Sequence, residues 1–157
     1  MNTNILIIGF GNPLRRDDGV GCRVIEQLKA TLQHPSLRYV TCQELTPDLA
    51  EPISQAGHVI YVDADCEIAP GTIERRKVEP CTETELGMGH DIKPCTLLAL
   101  ARILYGWTPP GDLFTIGGSN FEHGEGLTAE VTKAQAEAVS QITKYVEQIM
   151  AGFPAAE

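Results

Sequence analysis

Four acidic side chains and one histidine of this 157-residue chain have the types and spacing of a metal site. Asp17 and Asp18 follow a run of apolar residues near the N-terminus. Asp63 and Asp65 end another apolar run, and His90 precedes a helical pattern. Two carboxylates and an imidazole delivered by different loops can bind one metal ion and leave coordination positions open. The sequence therefore indicates a three-ligand metal site, provided that the fold brings these loops together.

Each of these residues also has a simpler interpretation. Asp18 can be a helix cap that accepts a backbone N–H at the start of a helix. Asp63 can be a turn residue at the end of a strand. His90 can be a loop histidine without a chemical role, and the same interpretation is given to the other histidines, His34, His58 and His123.

The elements that must position these residues alternate between strands and helices. Apolar and β-branched runs predict strands over 5–8, 37–42, 58–63, 72–78 and 113–116. Apolar residues at helical spacing predict helices that begin at Asp17–Asp18, at Thr46, at Pro94 and at Thr128, whereas 81–89 is predicted to be a loop. This order predicts one α/β domain over 1–157, a three-layer sandwich with a mainly parallel twisted sheet and helices on both faces. The tail 152–157 is expected to fray.

In a sheet of this class, ligands bind beyond the carboxyl ends of the strands, where the strand order reverses. Asn12, Asp17 and Asp18 follow the first predicted strand, and Asp63 ends the third. We therefore expect these side chains to lie at one edge of the sheet.

Composition excludes several classes of function. The formal net charge of −9 disfavours a nucleic-acid partner, because binding to phosphates needs a basic face. The apolar run near the N-terminus is too short for a secretion signal, and no stretch has the length of a membrane span. Five well-separated cysteines are expected to be free thiols in a reducing cytoplasm.

Two motifs compete with the metal-site interpretation. Gly9-Phe10-Gly11 is similar to the start of a dinucleotide-binding loop, but the sixth position of that motif is Leu14 instead of glycine. Asp63-Ala64-Asp65 has the form of the D-x-D motif of phosphatases, which usually lies on the first strand and needs a later acidic pair. Three functions therefore stay open: a metal-dependent enzyme, a phosphatase, and a non-catalytic α/β module that binds a metal or a nucleotide.

At these residues the chain resembles the nickel–iron hydrogenase maturation proteases, which trim the C-terminus of the hydrogenase large subunit. The resemblance rests on four segments in the same order: G-F-G-N-P-L-R-R-D-D-G-V-G at 9–21, V-D-A at 62–64 with A-P-G-T at 69–72, G-H-D-I-K-P at 89–94, and E-H-G-E-G-L-T at 122–128. The first segment is specific to the family, and the others gain weight from their order.

The resemblance implies an endopeptidase in which Asp18, Asp63 and His90 are both the catalytic and the metal-binding residues. The metal would be nickel carried by the large-subunit precursor, so that the isolated protein can be metal-free. The implied partner is that precursor, and the implied location is the cytoplasm. The sequence leaves the oligomeric state open, and a monomer is the expectation. Glu122 and Asp17 are candidates for a supporting shell around the ligands.

The segment Gln43-Glu44-Leu45-Thr46 departs from the family, since many members have Asp-Gly-x-Thr there. That region is thought to help select the cognate hydrogenase, so the departure leaves the exact precursor open. The form Q-x-L-T-P is similar to that of enzymes that serve cytoplasmic bidirectional hydrogenases.

Overall fold

Five strands form one sheet in the computed structural model, which describes residues 2–86 and 91–154. The strands are β1 (Ile5–Phe10), β2 (Leu37–Cys42), β3 (His58–Asp65), β4 (Ile73–Val78) and β5 (Gly111–Gly117). Their order across the sheet is β2-β1-β3-β5-β4, and every neighbouring pair is parallel except β4 and β5. The predicted α/β class and mainly parallel sheet are thereby confirmed.

Helices cover both faces of this sheet. They are α1 (Val20–Thr31), α2 (Ala50–Ser54), α3 (Glu83–Leu86), α4 (Pro94–Tyr105) and α5 (Ala129–Gly152). Helices α1 and α5 pack on one face with Ile5, Ile7 and Ile60. Helices α2 and α4 pack on the other with Leu6, Val59 and Tyr61. Residues of opposite parity thus point to opposite layers, as the period-2 geometry of strands requires.

The strand and helix positions follow the sequence pattern closely. Strand β3 is buried from Val59 to Val62 and lies at the centre, as its continuous apolar run predicts. Strand β4 lies at the edge of the sheet with four charged residues exposed to solvent, 74–77. The charges protect this edge from pairing with another chain.

Three local predictions need correction in their details. The helix predicted from Asp17 begins as a 3₁₀ turn, Arg16–Gly19, that runs directly into α1. The helix predicted at Thr46 does begin there, with Thr46 as the N-cap, but it is divided into a 3₁₀ turn, Pro47–Leu49, and the short α2. The segment predicted as a loop contains α3. All three concern single helical turns, which are too short to produce a hydrophobic period.

The C-terminal end of the chain packs on the core as far as it is described. Helix α5 continues to Gly152, and Phe153 is half-buried against the apolar cluster beneath α1 and α5. Residues 155–157, which belong to the tail predicted to fray, lie outside the described residues. Within residues 2–86 and 91–154, the structure contains no helix with the length and apolarity that crossing a bilayer requires.

Candidate functional site

The strand order reverses between β1 and β3. From β1 the chain crosses to β2 on one side and later returns to β3 on the other side. The carboxyl ends of β1 and β3 therefore bound the crevice in which α/β sheets of this kind bind ligands. Asp18 follows β1 and Asp63 lies in the last half of β3, so both predicted carboxylates lie at this crevice.

The loop after β1 holds Asp18 in place. Gly11 has a φ of 141°, and a Cβ there would collide with the carbonyl oxygen of Asp18. Glycine is therefore needed for the close approach of the two backbones. One residue later, the amide of Asn12 donates a hydrogen bond of 2.8 Å to Asp18 Oδ2. Asp18 is thus not the cap that the simpler interpretation assumed, because its described bond is to the strand loop and no side chain caps α1.

Asp63 is a half-buried carboxyl that resists ionisation. Burial raises its pKa to about 7, and the negative charges of Asp18 and Asp65 act in the same direction against the hydrogen bond from the Ala64 amide. That amide donates to Asp63 Oδ1 over 2.8 Å. The mutual repulsion shows that Asp18 and Asp63 lie within electrostatic reach of each other. Two like charges held at a crevice favour the arrival of a cation.

Asp17 has a structural role. Its carboxylate is completely buried and accepts hydrogen bonds from the amides of Ser119, Asn120 and Thr128 over 2.8–3.0 Å. The Thr128 hydroxyl also donates to it. Burial opposes the charge, but these hydrogen bonds outweigh it and lower the pKa of Asp17. Asp17 therefore ties the loop before α5 to the turn that carries Asp18, which fits the supporting position expected from the sequence.

A cavity of about 550 Å³ opens beside Asp63, on the face of the sheet that α4 covers. Its wall combines the end of β3, the edge strand β4 and the start of α4. The charged residues among its lining are Asp63, Asp65, Arg76, Lys77, Glu79 and Lys93. A groove of this size with both signs of charge can accept a polar ligand the size of a short peptide.

The third predicted ligand, His90, lies outside the described residues. Ile92 and Lys93, which follow it in the chain, line the cavity together with Asp63. Glu122 is exposed, and its amide donates a hydrogen bond to Asn120 Oδ1 over 3.0 Å. Among the hydrogen bonds of the described residues, none joins the Glu122 carboxylate to Asp18 or Asp63.

Two features were missed by the sequence patterns. Cys81 and Cys95, which lack a recognisable motif, lie side by side at the start of α4. His58 Nε2 lies 2.6 Å from Asp112 Oδ2, and the Tyr145 hydroxyl donates to the same oxygen over 2.6 Å. His58 and Asp112 lie at the amino ends of β3 and β5, which are the opposite ends of the strands from the crevice. A contact between residues 54 apart has no local signal from which it could be predicted.

Comparison of the sequence with models of protein families finds no match, and comparison with curated proteins finds none either. Comparison with solved structures finds the hydrogenase maturating endopeptidase HybD from E. coli, with a TM-score of 0.76 and 22% identity over 92% of this chain and 93% of that one. A nickel–iron hydrogenase maturation protease HycI from Thermococcus kodakarensis KOD1 is also similar, with a TM-score of 0.74 and 21% identity over 92% of this chain and 93% of that one.

A hydrogenase 2 maturation peptidase from a Thaumarchaeota archaeon is also similar, with a TM-score of 0.68 and 20% identity over 91% of this chain and 97% of that one. At this level of identity the likeness concerns the fold. The chain therefore has the fold of hydrogenase maturation endopeptidases over nearly its whole length, and the resemblance predicted from the sequence is confirmed at the level of the fold.

Proposed function

We propose that this protein is an endopeptidase that removes the C-terminal peptide of a nickel-loaded nickel–iron hydrogenase large-subunit precursor. The observation that carries the proposal is the pair Asp18 and Asp63 at the strand-order reversal of a fold shared with hydrogenase maturation endopeptidases. His90 is the proposed third ligand, and the position of Ile92 and Lys93 beside Asp63 supports this choice.

The three ligands would recognise the nickel ion as part of the substrate. Carboxylate oxygens and imidazole nitrogens are donors that bind divalent nickel in an open site. Asn12 orients the Asp18 carboxylate before the precursor arrives, so little ordering is needed on docking. Asp63 is partly protonated near neutral pH, since its pKa lies at about 7, and it releases its proton when a cation approaches. A precursor without nickel offers no such cation and would bind weakly.

Two routes to cleavage are compatible with these residues. The substrate's nickel can polarise the scissile carbonyl or lower the pKa of a water molecule. Alternatively, Asp63 can act as a general base, for which a pKa of about 7 is well matched to neutral pH. In both routes the cavity beside Asp63 would hold the peptide around the cleavage point. We place this reaction in the cytoplasm, where the five free cysteines are compatible with the redox state.

A mixing experiment tests the proposal. Purified protein is added to nickel-loaded and to nickel-free large-subunit precursor, and the precursor mass is followed with time. We expect loss of a short C-terminal peptide from the loaded form alone. Asp18→Ala, Asp63→Ala and His90→Ala should each lower the rate by at least about a hundredfold, as removal of a group that stabilises a transition state does. Normal cleavage by any of these folded variants would contradict the ligand assignment, and cleavage of both precursor forms would contradict recognition through nickel.

A phosphatase is the alternative enzyme, because Asp63, Asp65 and Lys93 line one cavity. The Asp65 carboxylate accepts a hydrogen bond from the Glu67 amide over 2.8 Å, which gives it a turn-forming role independent of chemistry. Asp65→Asn discriminates between the two enzymes. It should leave precursor cleavage intact, whereas it should abolish magnesium-dependent hydrolysis of a phosphate ester. A non-catalytic binding module would show neither reaction.

A further inference from the structure

Cys81, Glu85 and Cys95 converge beside the candidate active site. Their sulfur and carboxylate atoms all lie within 4.8 Å of one another. Cys81 is buried, Cys95 is half-buried, and Glu85 is exposed to solvent. The group therefore has two sheltered sulfur ligands and one oxygen ligand that an ion from solution can reach.

The backbone around these three residues is fixed by hydrogen bonds. The Cys81 amide donates to the carbonyl of Cys95 over 3.2 Å, which joins the segment before α3 to the first turn of α4. The Thr82 hydroxyl accepts a bond from the Glu85 amide over 3.2 Å and sets the start of α3. The three side chains are thus held together by main-chain contacts of two different elements.

We propose that Cys81, Glu85 and Cys95 form a binding site for a thiophilic divalent cation of the zinc class. Zinc prefers tetrahedral coordination with Zn–S bonds of about 2.3 Å and Zn–O bonds of about 2.1 Å, which places its ligands roughly 3.5–3.8 Å from one another. Ligand atoms that already lie within 4.8 Å need only a small closing movement to reach that geometry. The fourth position is left for water or a further ligand.

Two neighbouring cysteines alone do not identify Cys81, Glu85 and Cys95 as a metal site. Cys22 also lies near another cysteine, with its sulfur 3.6 Å from the Cys42 carbonyl oxygen. Within the described part of the chain, however, Cys81, Glu85 and Cys95 are the group in which three metal-ligating side chains converge. The carboxylate at the two thiols favours a cation over a purely hydrophobic role for the sulfur atoms.

The site lies on the rim of the cavity that contains Asp63, because Cys95 lines that cavity. A bound ion would link α3 to the start of α4 and thereby fix both ends of the segment that includes His90. Such an ion would be resident and structural, and distinct from the nickel of the substrate. The inference does not depend on the proposed peptidase activity, since it concerns a ligand set that includes neither Asp18 nor Asp63.

Cobalt titration of the full chain tests the site. The protein is stripped of metal, kept reduced, and titrated with Co²⁺, whose thiolate complexes give charge-transfer absorption. We expect one cobalt per chain, displaced by one equivalent of Zn²⁺. Cys81→Ser and Cys95→Ser should abolish the thiolate absorption. Glu85→Gln should weaken cobalt binding by at least about tenfold, the loss caused even by removal of an outer partner of a ligand.

Two matched variants control the experiment. Cys66→Ser removes an exposed thiol outside the group, and Asp63→Asn removes a carboxylate of the candidate active site. Both should keep the absorption of the unmodified chain. Reduced protein that shows no thiolate absorption would overturn the proposal, and so would absorption that survives in Cys81→Ser or is lost in Asp63→Asn. A Cys81–Cys95 disulfide found by mass after air exposure, without metal uptake by the reduced form, would also overturn it.

Glu85→Gln keeps the test decisive if a buried serine prevents folding, because residue 85 is exposed and its change leaves the packing intact. Far-ultraviolet circular dichroism of each variant shows whether it is folded. Metal binding is measured without any precursor, so a negative result here and a negative result in the cleavage assay remain separate.

Discussion

Asp63 combines a position required for the proposed chemistry with an environment unfavourable to its charge. Its pKa is raised to about 7 by burial first, and then by Asp18 and Asp65. In the unfolded chain an aspartate has a pKa of about 3.9. Between these two values the folded protein retains a proton that the unfolded chain releases, so the free energy of unfolding falls as the pH rises. Above about pH 7 the full cost of the charge is present.

We therefore predict that Asp63→Asn stabilises the metal-free protein at pH 8 and has little effect near pH 4. The shift corresponds to at most about 4 kcal/mol, and we expect about 1–3 kcal/mol because the side chain is partly open to solvent. Asparagine keeps the oxygen that the Ala64 amide contacts. Urea unfolding from pH 4 to pH 8 measures the difference. Asp48→Asn, which removes an exposed carboxylate, is the control, and an equal gain in both variants would refute the explanation by burial.

In Asp17, unlike Asp63, hydrogen bonds to the carboxylate outweigh the effect of burial on its pKa. Burial opposes its charge, but three amides and a hydroxyl outweigh that cost and lower its pKa. A lowered pKa contributes stability that is present above the unfolded value of about 3.9 and is lost as the pH falls through the folded pKa. The charged form is thus the form that stabilises the loop before α5 at neutral pH.

We predict that Asp17→Asn destabilises the protein at pH 7 by about 2–4 kcal/mol, because an amide cannot accept all of these hydrogen bonds and leaves buried donors unpaired. The loss should shrink only as the pH falls below about 3.9 and through the lowered pKa of Asp17, where the carboxylate of the unmodified protein also becomes protonated. Thermal unfolding at pH 7 and at successively lower pH below about 3.9 measures both effects. A change of less than about 0.5 kcal/mol, the size expected for an exposed residue, would show that the loop holds without Asp17.

At the scale of elements, the position of α1 depends on two glycines at its contact with the sheet. A Cβ at Gly9 in β1 would collide with the carbonyl oxygen of Gly21 in α1, and a Cβ at Gly21 would collide with that of Val62 in β3. Gly9 has no positive φ among the described backbone angles. Its role is therefore close helix–strand packing, whereas unusual backbone geometry is the role of Gly11.

We predict that Gly9→Ala lowers the free energy of unfolding by about 1–3 kcal/mol, the usual cost of forcing one carbon into a packed contact. The turn that carries Asp18 should move with α1, so precursor cleavage should fall even though every proposed ligand is retained. Gly152→Ala is the matched control, since a Cβ at that helical position meets no atom within 4 Å. Chemical unfolding together with the cleavage rate checks both parts, and equal stability of the two variants would argue against the contact.

Elements with a long apolar period were predictable, and those without one were not. The buried face of α5 and the continuous apolar run of β3 leave their period in the sequence. The turn Arg16–Gly19 is fixed by hydrogen bonds to the distant residues Gly124 and Asn120. The four-residue α3 is a single turn with local hydrogen bonds to Thr82, so neither element leaves a hydrophobic period. The same reason applies to the candidate sites. Asp18 and Asp63 follow strands and could be located by topology. Cys81 and Cys95 are joined by a backbone hydrogen bond between separate segments, which leaves no pattern in the sequence.

On the scale of the whole molecule, the two ends of the parallel strands differ in their polar groups. At the carboxyl ends, which form the carboxyl edge of the sheet, Asp18 and Asp63 repel each other beside an open cavity. At the amino ends, which form the amino edge, His58, Asp112 and Tyr145 are joined by short hydrogen bonds. Burial opposes the charge of Asp112, but His58 and Tyr145 outweigh it and lower its pKa. The unfavourable charges of the candidate site are thus separated by the length of the strands from a polar group that stabilises the fold.

This separation predicts that stability and activity can be changed independently. Tyr145→Phe removes one hydrogen bond to a buried carboxylate and should lower the free energy of unfolding by about 1–3 kcal/mol. The aromatic ring remains for the Arg75 guanidinium, whose carbon lies 4.2 Å from the ring centroid. Among the described hydrogen bonds, none joins His58, Asp112 or Tyr145 to Asp18 or Asp63. The rate of precursor cleavage well below the melting temperature should therefore be unchanged. Tyr105→Phe, at an exposed position, should alter neither quantity. If Tyr145→Phe slowed cleavage by tenfold while remaining folded, the two edges would be coupled through β3 and β5, and the amino-edge group would have to be counted among the residues that position the site.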